Sequence, residues 1–270
     1  ANYLREVGDN IVTGDYSNFG PTLSSQVVAA CIRDIIAWHK LYGASSAHIT
    51  NLEQILENDI LNPWHLCGDL VYQTLNGIAS GSPITAELNS EVNKYYIKLA
   101  FLILNKQNGF KYTLLDFNNK VRLVTYGDDF IMSVHNELIS WFNCQTIADA
   151  LLQYNIKLTD AQKGNTITPF MPLEQSTFLK RSFARHPTRA NIWLAPIEEQ
   201  SITECINWCH RQSDLKAATE EVLRASCELA FGKGPAFYEA HVTRILKCAL
   251  NEKLSFKYPT WKELDLRNFG

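Results

Sequence analysis

Val121-Arg122-Leu123-Val124-Thr125-Tyr126-Gly127-Asp128-Asp129-Phe130-Ile131-Met132-Ser133-Val134 is the stretch that decides the fold. Two runs rich in β-branched and apolar residues flank Gly127-Asp128-Asp129, and that pattern predicts a β-hairpin. Glycine permits the tight turn. Two adjacent carboxylates at a hairpin tip cannot pack inward without desolvating charge, so they face solvent or an ion. Hard divalent cations take such oxygens, and magnesium typically combines one or two carboxylates with phosphates. A solvated surface turn uses the same residues, so the hairpin alone leaves both readings open.

Working outward, Asn10-Ile11-Val12-Thr13-Gly14-Asp15 reads as a strand ending in a carboxylate. On a neighbouring strand, Asp15 could sit beside the hairpin tip, and three carboxylates could then hold two metal ions roughly 3.5–4 Å apart. A helix is expected from about Ser24 to His39, with Val28, Cys31, Ile35 and Trp38 at helical spacing. Leu70–Leu75 running into Asn76-Gly77 carries a second hairpin signal. Ser80-Gly81-Ser82-Pro83 then enters a helix, with Ser82 suited to the cap and Pro83 to the first turn. Ile84, Leu88, Val92, Tyr95, Leu99 and Leu102 are expected on its buried face. Thr85 and Asn89 are four apart and share a helix face, from which short hydroxyl and amide groups could read a sugar hydroxyl.

A further helix is expected from about Asn136 to Tyr154, and Ile156–Thr159 as an edge strand. Beyond residue 190 the pattern turns helical, with segments near 201–212, 214–231 and 235–250. Ser201-x-x-Glu204 and Thr260-x-x-Glu263 both match a capping box. The fold class is therefore α+β with an appended helical part.

Composition sets outer bounds. The 270 residues are 46% hydrophobic and 20% charged, which is globular. The net charge of −3 is unlike that of many nucleic-acid enzymes, yet a carboxylate-rich metal site lowers it. Seven cysteines occur without a C-x-x-C pair, and Cys205 and Cys209 lack companion ligands, which argues for reduced thiols and against zinc. The opening residues lack a secretory pattern. Tyr95–Leu104, the most apolar run, is broken by Lys98 and too short to span a bilayer, so no direct membrane insertion is expected.

Taken in order, Asp15-Tyr16-Ser17-Asn18-Phe19, Ser80-Gly81-x-x-x-Thr85-x-x-x-Asn89-Ser90 and Tyr126-Gly127-Asp128-Asp129 resemble palm motifs A, B and C of viral RNA-dependent RNA polymerases. Lys157–Lys163 is similar to motif D and Phe178-Leu179-Lys180-Arg181 to motif E. The wording is closest to the picornavirus order, with motif A pointing toward the insect iflaviruses. The resemblance runs from Asp15 to at least Phe183 and continues through Leu194-Ala195-Pro196-Ile197 into a thumb.

The resemblance implies template-directed nucleotidyl transfer on ribonucleoside triphosphates with two magnesium or manganese ions. Asp15 and Asp128 would be the main metal ligands, Asp129 would assist, and Lys163 would protonate the leaving pyrophosphate. Ser80, Gly81, Thr85 and Asn89 would position the nucleotide, and Lys180 and Arg181 would grip the primer backbone. Residues 1–190 would form a palm, with part of the fingers from 24–79, and 191–270 a helical thumb. The partners implied are template and primer RNA, a protein primer and other viral replication proteins. The place of work would be membrane-associated replication complexes in the host cytoplasm.

One departure concerns Gly20, which stands where the picornavirus form of motif A has a second aspartate that helps sense the 2′-hydroxyl. That shifts the load to Ser80, Thr85 and Asn89, to which Ser17 or Asn18 could contribute. Only fourteen residues precede Asp15, so the chain reads as lacking most of the fingers and is expected to polymerise poorly alone. A reverse transcriptase is the nearest rival, disfavoured by Gly127 and the Ser80–Asn89 pattern. A non-catalytic nucleic-acid-binding fragment is the rival from another class.

Overall fold

The structure is a computed structural model, and it describes residues 1–79, 81–160, 167–208, 213–254 and 256–270. The chain divides into two compact units, Tyr3–Pro172 and Leu173–Gly270 with Ala1–Asn2. The sequence places a border at 190/191. The compact units divide after Pro172, and the Phe178–Arg181 segment is grouped with the helical part.

In the larger unit, β1 (Ile11–Tyr16) is followed by a separate ribbon of β2 (Trp64–Cys67) and β3 (Leu70–Gln73). β4 (Val121–Tyr126), β5 (Asp129–Val134) and β6 (Leu158–Asp160) join β1 in an antiparallel sheet of order β4-β5-β1-β6. The two middle strands are covered on both faces, with Ile11, Val12, Thr13, Ile131, Met132 and Ser133 all buried. The Thr85–Gln107 and Cys144–Leu152 helices pack on each other and against the sheet. Beneath them Phe101 anchors an aromatic cluster, its ring 5.2 Å from Phe117, 5.4 Å from Trp141 and 5.3 Å from Phe142. Such offset and edge-on pairs add to area burial.

Gly14 shows how tightly the sheet is packed. A Cβ there would lie 2.9 Å from both the Phe130 ring and the Leu158 side chain. Both neighbours are themselves buried and cannot swing away.

The expected hairpin and edge strand are present, while several helix faces differ. The helix after motif A runs Ser25–Leu41 and buries Val28, Cys31, Ile32 and Ile36, leaving Trp38 55% exposed. Spacing of four from Val28 outcompetes the expected 28-31-35-38 series. Likewise the Thr85–Gln107 helix buries Leu88, Val92, Asn93, Tyr96, Ile97 and Phe101, while Leu102 is exposed. Asn76-Gly77 is not a hairpin turn. The ribbon turns instead at Gly68-Asp69, where Cys67 pairs with Leu70. Gly77 serves a close approach, since a Cβ there would lie 3.0 Å from the Gly20 carbonyl oxygen. Ser82 does not cap its helix, and the expected 136–154 helix begins only at Cys144, behind an Asn143 capping box.

The smaller unit holds a two-residue-loop hairpin, β7 (Thr177–Phe178) and β8 (Arg181–Ser182), and a ribbon of β9 (Ala184–Arg185) with β10 (Trp193–Leu194). Helices Glu199–Glu204, Leu215–Ala230, Pro235–Asn251 and Trp261–Phe269 follow. Thr260 caps the last with the expected box, whereas Ser201 lies inside its helix. The core gathers Leu194, Ile202, Cys227, Tyr238, Val242 and Leu264.

A buried polar group ties the last helix to the β9–β10 ribbon. Thr188 N donates to His186 Nδ1 at 3.2 Å, which leaves Nε2 as the donor to Asp265 Oδ1 at 2.8 Å. Arg189 donates to Asp265 Oδ2 at 3.0 Å and to the Phe269 carbonyl at 2.9 Å. Burial pushes the Asp265 carboxyl up, but the hydrogen bonds from His186 and Arg189 and the guanidinium charge outweigh it and hold it below the usual range.

Gly14→Ala is expected to destabilise the larger unit by about 1–3 kcal/mol, the usual cost of overpacking a filled core, read from denaturant midpoints. A carboxyl with a depressed folded pKa contributes stability above its unfolded pKa and loses it as pH falls through the folded one. The smaller unit is therefore expected to melt at lower temperature as the solution is acidified through the Asp265 titration. Asp265→Asn should be less stable at neutral pH and should show a shallower acid dependence, measured by thermal melts between neutral pH and about pH 3.

Candidate active site on the palm sheet

Strand alternation places Asp15 and Tyr16 on opposite faces of β1. Tyr16 enters the core, its ring 4.8 Å from Phe19 and 6.0 Å from Phe130, and burial pushes its hydroxyl well above the ordinary range. Asp15 stays partly exposed on the other face. Its Cα pairs with Thr159 of β6, and Thr159 Oγ1 donates to its carbonyl at 3.1 Å. The β1–β5 register runs from Ile11 opposite Ser133 to Gly14 opposite Phe130. One more step along that register sets Asp15 across from Asp129.

Tyr126 pairs with Asp129, so Gly127 and Asp128 form the two-residue turn between β4 and β5. Gly127 has φ of +60°, and Asp128 is not among the positive-φ residues. A single positive φ at the first central position fits a type II′ turn, whose twist suits a hairpin. Asp128 is exposed and Asp129 partly so. The sheet end thus gathers Asp15, Asp128 and Asp129.

Two side chains that the sequence reading gave no role hold this turn. Ser90 and Asn93 are three apart on the Thr85–Gln107 helix and share a face. Ser90 Oγ accepts from Gly127 N at 2.8 Å, and its carbonyl accepts from Thr125 Oγ1 at 3.1 Å. Asn93, fully buried, donates from Nδ2 toward the carbonyls of Gly127 at 3.2 Å, Asp128 at 3.0 Å and Asp129 at 3.3 Å. Its Oδ1 accepts from Tyr16 Oη at 3.0 Å. The sequence signal was an asparagine beside Val92 on an apolar helix face, where only a built polar partner makes it tolerable.

Of the expected nucleotide contacts, Gly81 is exposed with φ of +91° at the loop entering the helix. Thr85 shapes that loop, its hydroxyl directed at the carbonyls of Ala79 at 3.1 Å and Ser82 at 2.9 Å. Asn89 Oδ1 and Ser82 Oγ are buried and find no hydrogen-bond partner among the described residues. A Cβ on Gly20 would meet nothing within 4 Å, so the missing motif A carboxylate is not a matter of space. Ser80 and Lys163 lie outside the described residues.

Lys180 and Arg181 belong to the smaller unit, at the β7–β8 turn. Phe178 pairs with Arg181, which leaves Leu179 and Lys180 as the two central residues, with φ of 54° and 59°. Both being positive marks a type I′ turn, built here without glycine or asparagine. Arg181 Nη1 donates to the Ala195 carbonyl at 2.8 Å. Lys180 is exposed and makes no ion pair among the described residues.

For a metal, the donor set is carboxylate oxygen, which suits magnesium or manganese. Among the described residues no three acidic, imidazole or thiol groups form a ready-made cage.

The sequence model for "Viral RNA-dependent RNA polymerase" matches residues 1–250. The genome polyprotein of Deformed wing virus is 38% identical over 274 residues, covering 100% of this chain and 9% of the polyprotein. The replicase polyprotein of Acute bee paralysis virus is 30% identical over 236 residues, covering 84% of this chain and 12% of that protein. The solved structure of a Sicinivirus RNA-dependent RNA polymerase superposes with a TM-score of 0.76 at 21% identity, covering 96% of this chain and 50% of that one. The chain therefore spans half of that polymerase and about a tenth of those polyproteins.

Leu179 holds a left-handed conformation that costs an L-residue roughly 1–2 kcal/mol, so Leu179→Gly is expected to stabilise the smaller unit by up to about that amount. Its thermal midpoint should rise. An unchanged or lower midpoint would show that the Leu179 side chain packs well enough to offset the strain.

Proposed function

This chain belongs to the viral RNA-dependent RNA polymerase family, and we propose that it catalyses RNA-templated nucleotidyl transfer for genome replication. The observation that carries the proposal is the convergence of Asp15, Asp128 and Asp129 at one end of a palm sheet. In the proposed reaction a primer 3′-hydroxyl attacks the α-phosphate of a ribonucleoside triphosphate, and pyrophosphate leaves.

Asp15 and Asp128 would hold two divalent ions, magnesium or manganese, with Asp129 assisting. Bound there, the ions supply activation of the attacking hydroxyl and neutralisation of charge on the triphosphate. The protein's own task is positioning, because phosphoryl chemistry asks little covalent help. Exposed Asp128 stands clear of the sheet, where phosphate oxygens can reach it. Ser80, Gly81, Thr85 and Asn89 bind the nucleotide in this reading. Asn89 supports it with a buried oxygen that is not committed elsewhere among the described residues. Thr85 acts one step back by fixing the loop. Lys163 is assigned proton donation to the leaving pyrophosphate, and Lys180 and Arg181 contact with the primer backbone, which positions without reading sequence.

Template and primer RNA are the expected partners, with a protein primer and other viral replication proteins. The proposed location is host-cytoplasmic replication complexes at membranes. Among the described residues no helix is long and apolar enough to cross a membrane.

The test is RNA-templated primer extension with magnesium. It would use this chain and a chimaera that adds the part of the Sicinivirus polymerase not covered by the match. The chimaera is expected to incorporate ribonucleotides, and Asp128→Ala to lower the rate by about 10²–10³-fold, the scale on which loss of one charge-stabilising group acts. Equal extension by both proteins would show that Asp128 is not a metal ligand. RNA binding without extension in either would favour a binding module.

A further inference from the structure

We propose that Asn93, together with Tyr16, is a positioning residue of this site: its amide fixes the Gly127–Asp129 turn against the strand that carries Asp15 and so sets the spacing of the carboxylates. The inference rests on the polymerase reading of Asp15 and Asp128.

The geometry is that of a clamp between two strands that are already neighbours. The ladder between β1 and β5 ends at Gly14 and Phe130. The paired register therefore stops one step before Asp15 and Asp129. Asn93 bridges the gap from the opposite face of the sheet. On one side its Oδ1 takes the Tyr16 hydroxyl, from the residue next to Asp15. On the other its Nδ2 faces three consecutive carbonyls of the turn.

An amide nitrogen has two hydrogens, so three acceptors exceed its capacity. The turn can exchange one carbonyl for the next while two bonds persist. Position is therefore held across small shifts of the turn, such as those a bound triphosphate would impose. The roles cannot be inverted: the carbonyls only accept, so the donor end must face them. Tyr16 must then be the donor to Oδ1. Asn93 has no exposure to solvent, so no water competes for these bonds. Ser90 adds a separate bond to Gly127 N and does not link the turn to β1.

Two substitutions isolate the clamp. Tyr16→Phe removes one hydroxyl and keeps the ring in its aromatic packing. Asn93→Leu removes both ends at similar volume. Three readouts are taken on the wild type, these variants, their double variant and Asp128→Ala. They are Mn2+ affinity by electron paramagnetic resonance, kcat and KM for nucleotide in the chimaera, and the thermal midpoint.

Asn93→Leu is expected to weaken Mn2+ binding by about tenfold and lower kcat by about 10–100-fold with little change in KM, since a misplacement near 1 Å costs on that scale. Tyr16→Phe should show a smaller loss of the same kind, and the double variant should be no worse than Asn93→Leu, as expected for coupled groups. A merely structural role would lower the thermal midpoint and leave Mn2+ affinity and kcat unchanged well below melting, and that outcome overturns the proposal. Should Asn93→Leu fail to fold, wild-type Mn2+ affinity and kcat in Tyr16→Phe overturn it equally. Mn2+ binding lost in Asp128→Ala but intact in both clamp variants sinks this inference alone. Absence of Mn2+ binding by the wild type removes the metal reading and the clamp with it.

Discussion

Carboxylates that serve a cation must be held together before the cation arrives, and they repel each other while they wait. Two like charges 4 Å apart cost roughly 4 kcal/mol at an effective dielectric of 20. Asp128 is exposed and Asp129 partly so, which rules out packing of the carboxylates themselves as the restraint. The backbone supplies a restraint. β1 and β5 supply it by a ladder ending one residue short of the site, and Ser90 and Asn93 supply it by gripping the turn from the helix behind. Much of the larger unit follows from keeping these parts in register. Gly14 lets the Phe130 ring and the Leu158 side chain close over β1, and the Phe101 aromatic cluster seats the helix that carries Ser90 and Asn93.

What could be read from the sequence follows the same division. The placement of Asp15 at a strand end and of Gly127, Asp128 and Asp129 at a hairpin turn was legible because it is expressed in residue type and local spacing. The strand, the turn and the edge position of β6 needed no knowledge of the partner. Asn93 and Tyr16 were not legible, because their meaning lies in a contact between positions 77 residues apart. A lone asparagine in a helical stripe looks like an interruption until the strand opposite is known. The helix faces were misjudged for a related reason. Stripes of three and four residues overlap, and the sheet decides which one is buried, favouring Ile36 over Trp38 and Phe101 over Leu102. Asn76-Gly77 was read as a hairpin tip from its preference for positive φ. Its glycine is used instead to let the backbone pass close to Gly20.

The smaller unit solves a different problem with different means. Its ribbon and last helix are joined by a buried carboxylate that takes hydrogen bonds from both His186 and Arg189. A buried charge is tolerable only when it is fully partnered, and here both carboxylate oxygens are. The β7–β8 turn, by contrast, keeps Leu179 and Lys180 in a conformation that glycine would adopt freely. Strain of that kind persists where the side chains have a use. An exposed lysine at the tip, beside an arginine held by the Ala195 carbonyl, presents positive charge in a chain whose net charge is −3.

Gly20 bears on how a site of this design tells ribose from deoxyribose. The absent carboxylate is not excluded sterically, since the position opens on free space. Thr85 already directs its hydroxyl proton at two loop carbonyls, which leaves it an acceptor toward a sugar hydroxyl. Asn89 differs. Its buried oxygen lacks a donor among the described residues, and a buried acceptor without a donor costs roughly 1–3 kcal/mol. A nucleotide hydroxyl that satisfied it would recover that energy, and a deoxynucleotide would not.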